Sequence, residues 1–230
     1  MLFFLYIKYI SYNNSSIFNL IIEERVILMI QLSKKYLVNT GTNRACYIYP
    51  LKKEKCIKVN LKGHKETNQE IKYYKKLQNN STSFDMISKY FGSVQTNLGN
   101  GEIFELIIDF DNNVSKEVDK YLINKDTSFD DIESIIMLLP DFKKYLFDQK
   151  IYVKDLNSVN VVFQKINENN CRLVVIDGLA HSNYNPFFYR LDFFILKKIN
   201  ISWMNFIKSI ETKQIIQDNK ELINILKTLY

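Results

Sequence analysis

The chain has 230 residues, 47% of them hydrophobic and 24% charged, with only six Gly and three Pro. That composition describes a globular protein with ample chain for a core, and it excludes collagen-like, linker-rich and disordered architectures. Thirty-one Lys and Arg against 25 Asp and Glu leave a net charge of +6, too mild to require a nucleic-acid partner. Lys, Ile, Asn, Tyr and Phe are all heavily used, and all have A/T-rich codons, so much of the basicity and aromaticity has a compositional cause.

Residues 1–28 start with the apolar run MLFFLYI, meet Lys8, cross a polar YNNSS and reach a second apolar patch, IFNLII. Neither patch approaches the roughly 20 uninterrupted apolar residues of a membrane span. A secretory signal would carry its positive charge ahead of the apolar run and a small-residue cleavage site after it. Glu23-Glu24-Arg25 can be written as a nearly all-purine tract, and Met29 follows after a gap of three codons. That is the layout of a bacterial ribosome-binding site, so the expectation is an upstream extension, or else a disordered or ill-packed segment, over 1–28 and a chain proper that starts at Met29.

From Tyr36 the pattern reads strand, strand, strand, helix. Tyr36–Thr40 and Cys46–Tyr49 flank a Gly-Thr-Asn-Arg turn, Pro50 closes the second strand, and Lys55–Asn60 makes a third. A helix over Glu66–Leu77 sets Glu70, Tyr73, Tyr74 and Leu77 on one face. Tyr90–Thr96 and Glu102–Asp109 flank Asn100-Gly101, a hairpin signal. These elements predict a five-stranded antiparallel sheet with one helix inserted after the third strand. The boundary to a helical half falls at Asp109–Asn113. There, Ser115–Asn124 and Asp130–Lys150 carry helical periodicity, with a kink or fresh start expected at Pro140. Val159–Gln164 and Arg172–Ile176 form a short hairpin, and three helices (about 187–199, 201–210 and 219–229) finish the chain. Trp203 and Phe206 are expected inside that terminal cluster, and the aromatic run Phe187, Phe188, Tyr189, Phe193 and Phe194 on a core-packed helix.

Cys46, Cys56 and Cys171 are odd in number, with no C-x-x-C and no His pair at zinc spacing. Cys46 and Cys56 could approach each other on neighbouring strands, but free thiols in a reducing cytosol are the expectation. His64 and His181 have no ligand partners nearby in sequence. Lys52, Lys53, Lys55, Lys58, Lys62 and Lys65 crowd the third strand and its loops, and read as a solvated hairpin edge rather than an anion site.

Lys58 stands apart from that run because it occupies the apolar strand Cys56-Ile57-Lys58-Val59. A lysine there either snorkels from an edge or finds a buried charge partner. Glu70, on the apolar stripe of the next helix, is the first candidate and Glu66 the competitor. Further on, Lys154-Asp155-Leu156-Asn157-Ser158-Val159-Asn160 holds D-x-x-x-x-N between a long helix and a strand. An Asp in that setting orients or accepts a hydroxyl proton, and an Asn offers an amide oxygen to a metal. Arg172–Ile176 then runs into Asp177-Gly178. An Asp ending an apolar strand is placed either to bind Mg²⁺ between phosphates or to cap a turn.

In chain order, G-T-x-R, C-I-K-V, E-I-K-Y-Y, I-I-D-F-D, K-D-L-x-x-x-N and V-I-D-G resemble the protein-kinase-like superfamily. Within it they are closest to the bacterial family named for the PhoP regulatory network protein YrbL, with similarity from about Ile30 to the terminal helices. The resemblance implies an α+β, two-lobed protein-kinase-like fold in the cytoplasm. Its small lobe (about 30–110) would hold five antiparallel strands and one helix, and its large lobe (about 111–230) would be reduced and mostly helical. It implies ATP and Mg²⁺ as cofactors and a Mg²⁺- and envelope-responsive regulon as the setting, but no named acceptor. By position, Lys58 would clamp phosphate with Glu70 as its helix partner, Asp155 would be the catalytic-loop aspartate, and Asn160 and Asp177 the metal ligands. Gly41, Thr42 and Arg44 would belong to the loop over the nucleotide.

The departures bear on function. Only Gly41 remains of a glycine-rich loop, Val153 and Lys154 precede Asp155 in place of His and Arg, and Gly178-Leu179 follows Asp177. No A-P-E segment follows either, and the chain after Asp177 is short, which argues against a peptide substrate platform. The expectation is therefore an ATP–Mg²⁺-dependent phosphotransferase acting on a small or unidentified acceptor. The alternative is a pseudokinase, a regulatory or binding module without transfer. Neither nucleic acid nor a membrane span is expected.

Overall fold

Short β-branched and aromatic runs build a five-stranded antiparallel sheet from β1 (Leu37–Thr40), β2 (Arg44–Ile48), β3 (Lys55–Asn60), β4 (Tyr90–Thr96) and β5 (Gly99–Glu105), in the order β1-β2-β3-β5-β4. The computed structural model describes residues 29–61, 65–179 and 192–230. The expected upstream extension over 1–28, both histidines and Phe187–Tyr189 lie outside the described residues, as does the side chain of Glu66.

β3 is the central strand, and its four middle residues are buried. Within the lysine-rich run, Lys52 and Lys53 are exposed on the preceding turn, as a solvated edge requires, whereas Lys58 is buried in the central strand; Lys62 and the side chain of Lys65 lie outside the described residues. Helix α1 (Lys65–Asn79) follows β3 and packs its expected face, Glu70, Tyr73, Tyr74 and Leu77, into the interior. The Tyr74 ring meets Phe104 edge-on at 5.3 Å between centroids, a geometry that aromatic quadrupoles favour.

The β4–β5 hairpin turns earlier than its N-G dipeptide indicates. Thr96 pairs with Gly99, so the loop is Asn97-Leu98, with Gly99 at φ +104. Asn100-Gly101 lies in β5 instead, where Gly101 is opposite Val59 on one side and Val94 on the other. Gly101 is needed for packing: a Cβ there would overlap the Cγ2 methyl of buried Ile57 and come within 3.3 Å of Thr96 Cγ2.

Beyond β5 come β6 (Lys116–Glu117), α2 (Val118–Ile123), α3 (Phe129–Asp148), β7 (Val161–Lys165), β8 (Cys171–Val175), α4 (Asp192–Glu211), α5 (Gln214–Gln217) and α6 (Lys220–Lys227). A second sheet has the order β6-β7-β8, so Lys116 and Glu117 are strand where helical periodicity predicts helix. Ser128 caps α3 through its side chain, accepting from Asp131 N–H at 3.2 Å. The helix continues through Pro140 without a fresh start; Pro140 sits on its exposed side.

The two helices expected over 187–210 are a single α4 among the described residues. Its buried stripe is Ile195, Ile199, Trp203, Phe206, Ile207 and Ile210, so Trp203 and Phe206 are interior as expected. Phe193 and Phe194 are not core residues, being 72% and 42% exposed, because they precede that stripe.

Met86 and Ser88, just ahead of β4, join the two sheets by hydrogen bonds on either side of Val175: Val175 N–H donates to Met86 at 2.9 Å and Ser88 N–H to Val175 at 2.9 Å. One hydrophobic core runs from Cys56 and Tyr74 through Ile87 to Trp203 and Leu226. No described helix is long and apolar enough to cross a membrane. The steric reading of Gly101 predicts that Gly101→Ala lowers stability by about 1–3 kcal/mol through overpacking. Gly41→Ala, whose Cβ meets only Arg44 O at 3.5 Å, should change it by less than about 0.5 kcal/mol. Urea denaturation of both variants checks the contrast, and equal losses would overturn it.

Candidate functional site

Alternation along β3 sends Ile57 and Val59 to one face of the sheet and Cys56 and Lys58 to the other. The second face roofs a cleft of about 1070 Å³ between the five-stranded sheet and the second half of the chain. Gly41, Thr42, Arg44, Lys58 and Glu70 line it from the sheet side, and Asp155, Asn160 and Asp177 from the other. All eight sequence-predicted site residues are therefore brought to one cavity.

Their pairing differs from the expectation. Lys58 does not meet Glu70. Its ammonium donates to the Ile176 carbonyl at 2.5 Å and lies 3.6 Å from Asp177 Oδ2. Arg44 takes the place between the acids, one guanidinium nitrogen on Glu70 and another on Asp177. A planar fork with several N–H donors spans two separate carboxylates more readily than a single ammonium nitrogen. The result is an alternating chain of charge, Glu70–Arg44–Asp177–Lys58, that joins α1, β2, the end of β8 and β3.

Burial of Glu70, opposed by Arg44, and its nearness to Asp177 push its carboxyl above the ordinary range. One of its oxygens, Oε1, is buried without a hydrogen-bond partner among the described residues. Burial also pushes Asp177 upward, but Lys58, Arg44 and the Gly178 N–H outweigh it and hold that carboxyl below the usual range. Asp177 is 35% exposed toward the cleft, an ionised carboxylate with solvent access.

The D-x-x-x-x-N segment is a loop ordered by its own amides. Asn157 Nδ2 donates to Asp155 Oδ1 at 2.8 Å, and Asn160 Nδ2 donates to Asp155 O and Oδ2 at 2.9 and 3.0 Å. With its N–H groups so committed, Asn160 has its amide oxygen left over among the described residues. Gly178 locks this loop to the end of β8: its carbonyl accepts from Lys154 N–H at 3.0 Å. Gly178 has φ +86, and a Cβ there would stand 2.8 Å from Asp155 O. Any side chain would thus push apart the segments carrying Asp155 and Asp177.

Sequence reasoning missed the apolar wall of the cleft. Ile107, Val162 and Val174 form a small buried cluster with Ile176 against it, and Ile107, Val162 and Ile176 line the cavity opposite Val38 and Cys56. Their only sequence signal is strand periodicity, which does not separate cleft wall from core. No described trio of His, Cys, Asp or Glu is grouped to hold a metal. Asp177 and the Asn160 amide oxygen are the oxygen donors that would suit Mg²⁺, a hard cation that takes one or two protein oxygens and completes its shell with phosphate and water.

The family model described as PhoP regulatory network protein YrbL matches residues 30–211. Two curated relatives, each called uncharacterized protein YrbL, come from Escherichia coli (strain K12) and Shigella flexneri. Each is 31% identical to this chain over 183 residues, covering 78% of this chain and 87% of its own length.

The charge chain has a pH signature. Because the folded carboxyl of Asp177 titrates below its unfolded value near 4, its stabilisation is complete above that value and is lost as pH falls through the folded one. Asp177→Asn should therefore be less stable than the parent at pH 7, by about 1–2 kcal/mol given the exposure of the pair. The gap should close below about pH 4 as the parent protonates. Thermal melts from pH 7 to 3 measure it, and a pH-independent gap would refute the assignment.

Proposed function

The chain belongs to the PhoP regulatory network protein YrbL family, and from that premise we propose that it binds ATP–Mg²⁺ in a two-lobed, protein-kinase-like fold and transfers the terminal phosphoryl group to a small acceptor. In this reading the five-stranded sheet with α1 is the small lobe, residues 111–230 are the large lobe, and the setting is a Mg²⁺- and envelope-responsive regulon in the cytoplasm. The observation that carries it is the meeting of Lys58 and Arg44 from the roof with Asp177 from the opposite wall. Cations on one side of a cleft and an ionised acid on the other are what a metal-bound polyphosphate requires.

Lys58 and Arg44 would turn from Asp177 to phosphate oxygens, and Asp177 with the Asn160 oxygen would face the cation. When bound, Mg²⁺ neutralises charge that develops on the phosphates. Asp155 is exposed and fixed by two amides, so it would orient the acceptor hydroxyl and take its proton. The new O–P bond forms as the bond to the β–γ bridging oxygen breaks, and ADP leaves. The apolar wall at Ile107 and Val162 suits a flat base, and the cavity volume is ample for a nucleotide and a small acceptor. Gly41 N–H donates to the Arg44 carbonyl at 2.8 Å, so charge at Arg44, rather than a nest of glycine amides, would serve the phosphates.

A pseudokinase reading rests on a different feature. The Asp177 carboxylate is already satisfied by Arg44, Lys58 and the Gly178 N–H, and that arrangement must break before a cation binds. The two readings separate in a thermal-shift and turnover experiment. ATP–Mg²⁺ at a hundredfold excess over Kd should stabilise the parent by about 2.7 kcal/mol, roughly 5–10 °C for a chain of this size, and Lys58→Met and Asp177→Asn should abolish the shift. No shift in the parent overturns nucleotide binding. Turnover that falls about 10²–10⁴-fold in Asp155→Asn supports transfer, and a shift without turnover, unchanged in that variant, supports the pseudokinase.

A further inference from the structure

Two thiols in the roof of the cleft have no part in the chemistry above. The β2–β3 register sets Cys46 opposite Lys58 and Cys56 opposite Ile48. Residues opposite each other in an antiparallel pair share a face, as do positions i and i+2 of a strand. Cys46, Cys56 and Lys58 therefore all project into the cleft, and all three line it. Cys46 and Cys56 are diagonal neighbours across the β2–β3 pair, and the Cys56 thiol donates to the Glu105 carbonyl at 3.9 Å.

The two environments differ in the sense that reactivity requires. Cys46 is half-buried at the cleft surface, whereas Cys56 is only 3% exposed. The neighbouring Cys56 thiol pulls the Cys46 thiol below its ordinary value against the effect of burial, with Lys58 and Arg44 assisting and Asp177 opposing. The same contact and burial push Cys56 well up. Cys171, on β8 and outside the cleft lining, is pushed up by burial. A cleft-facing thiol beside two cations, with a second, more deeply buried thiol next to it, is the arrangement of a nucleophilic sulfur and its resolving partner.

We infer that Cys46 and Cys56 form a peroxide-reactive dithiol in the roof of the cleft, with Cys46 the attacking sulfur and Cys56 the resolving one. The Cys46 thiolate attacks one oxygen of hydrogen peroxide, the O–O bond breaks, and the other oxygen leaves as hydroxide, which is protonated to water. Cys46 is then a sulfenic acid. The Cys56 thiol attacks its sulfur, the S–O bond breaks, a second water leaves and a disulfide forms. Two thiols are oxidised and one peroxide is reduced to two waters. A disulfide between diagonal neighbours draws the strands closer than their ordinary spacing. Arg44, two residues from Cys46, and Lys58, two from Cys56, are carried with it. On the nucleotide reading above, the oxidised roof binds ATP–Mg²⁺ less well; the dithiol itself does not depend on that reading.

Peptide mapping by mass spectrometry of the full chain after brief treatment with stoichiometric hydrogen peroxide tests the proposal. The expected product is a dithiothreitol-reversible Cys46–Cys56 link, formed roughly tenfold or more faster than any oxidation of Cys171. Cys56→Ser should stop at one added oxygen on Cys46 that dimedone traps, and Cys46→Ser should leave Cys56 unmodified. Oxidation of Cys171 as fast as Cys46, oxidation of Cys56 in Cys46→Ser, or a persistent sulfenic acid in the parent would each overturn it. Repeating the reaction with ATP–Mg²⁺ separates the two proposals. Slower oxidation supports both, while an unchanged rate with the same Cys46–Cys56 product supports the dithiol and counts against nucleotide binding.

Discussion

The shared carboxylate of Asp177 is the interaction on which the rest of the cleft depends. Arg44 and Lys58 reach it from two strands of one sheet, and Arg44 carries the connection on to Glu70 in α1. Burying four charges is tolerable only while their signs alternate, since each loses hydration that its neighbours must replace. Glu70 illustrates the dependence. It is 2% exposed, and among the described residues one of its oxygens is unpartnered and Arg44 is its only ion pair. Whatever draws Arg44 away from Asp177 therefore changes the conditions of a carboxylate on the helix behind it, and the roof responds as a unit.

The opposite wall is held by different means. Asp155, Asn160 and Asp177 are positioned through the backbone of Gly178 and the amides of Asn157 and Asn160. Hydrogen bonds in a close-packed turn fix distances that flexible ion pairs do not, and the missing Cβ of Gly178 is what permits the approach. The cleft thus combines a wall with a set geometry and a roof whose cations are exchangeable. In the nucleotide reading, that division lets the roof rearrange around phosphates while the acid, the amide oxygen and the catalytic loop keep their spacing.

Much of this was legible in the sequence, for local reasons. KCIKVN reads as a strand and is one, the stripe Glu70, Tyr73, Tyr74, Leu77 reads as a buried face and is one, and the eight site residues converge. What was not legible depends on competition in three dimensions. The partner of Lys58 could not be read because Arg44 outcompetes it for Glu70 through a fork that touches both acids. Asn100-Gly101 resembles a turn, but the glycine is demanded by Ile57 across the sheet. Lys116 and Glu117 become strand because β7 lies beside them. Phe193 and Phe194 face outward because the buried stripe of α4 starts at Ile195.

The single glycine of this turn and the presence of Arg44 are best understood together. The Gly41 N–H already serves the turn through the Arg44 carbonyl, so on the nucleotide reading the side chain at its end, rather than its backbone, would supply the positive charge. That charge is not idle without a ligand, because it neutralises two acids. The same cations flank the thiol of Cys46, two residues along the strand. A thiolate needs nearby positive charge as a phosphate does, and on the nucleotide and dithiol readings both would draw on Arg44 and Lys58. Competition for those two cations, rather than any change in the wall beneath, is what would couple ligand occupancy to the oxidation state of the roof.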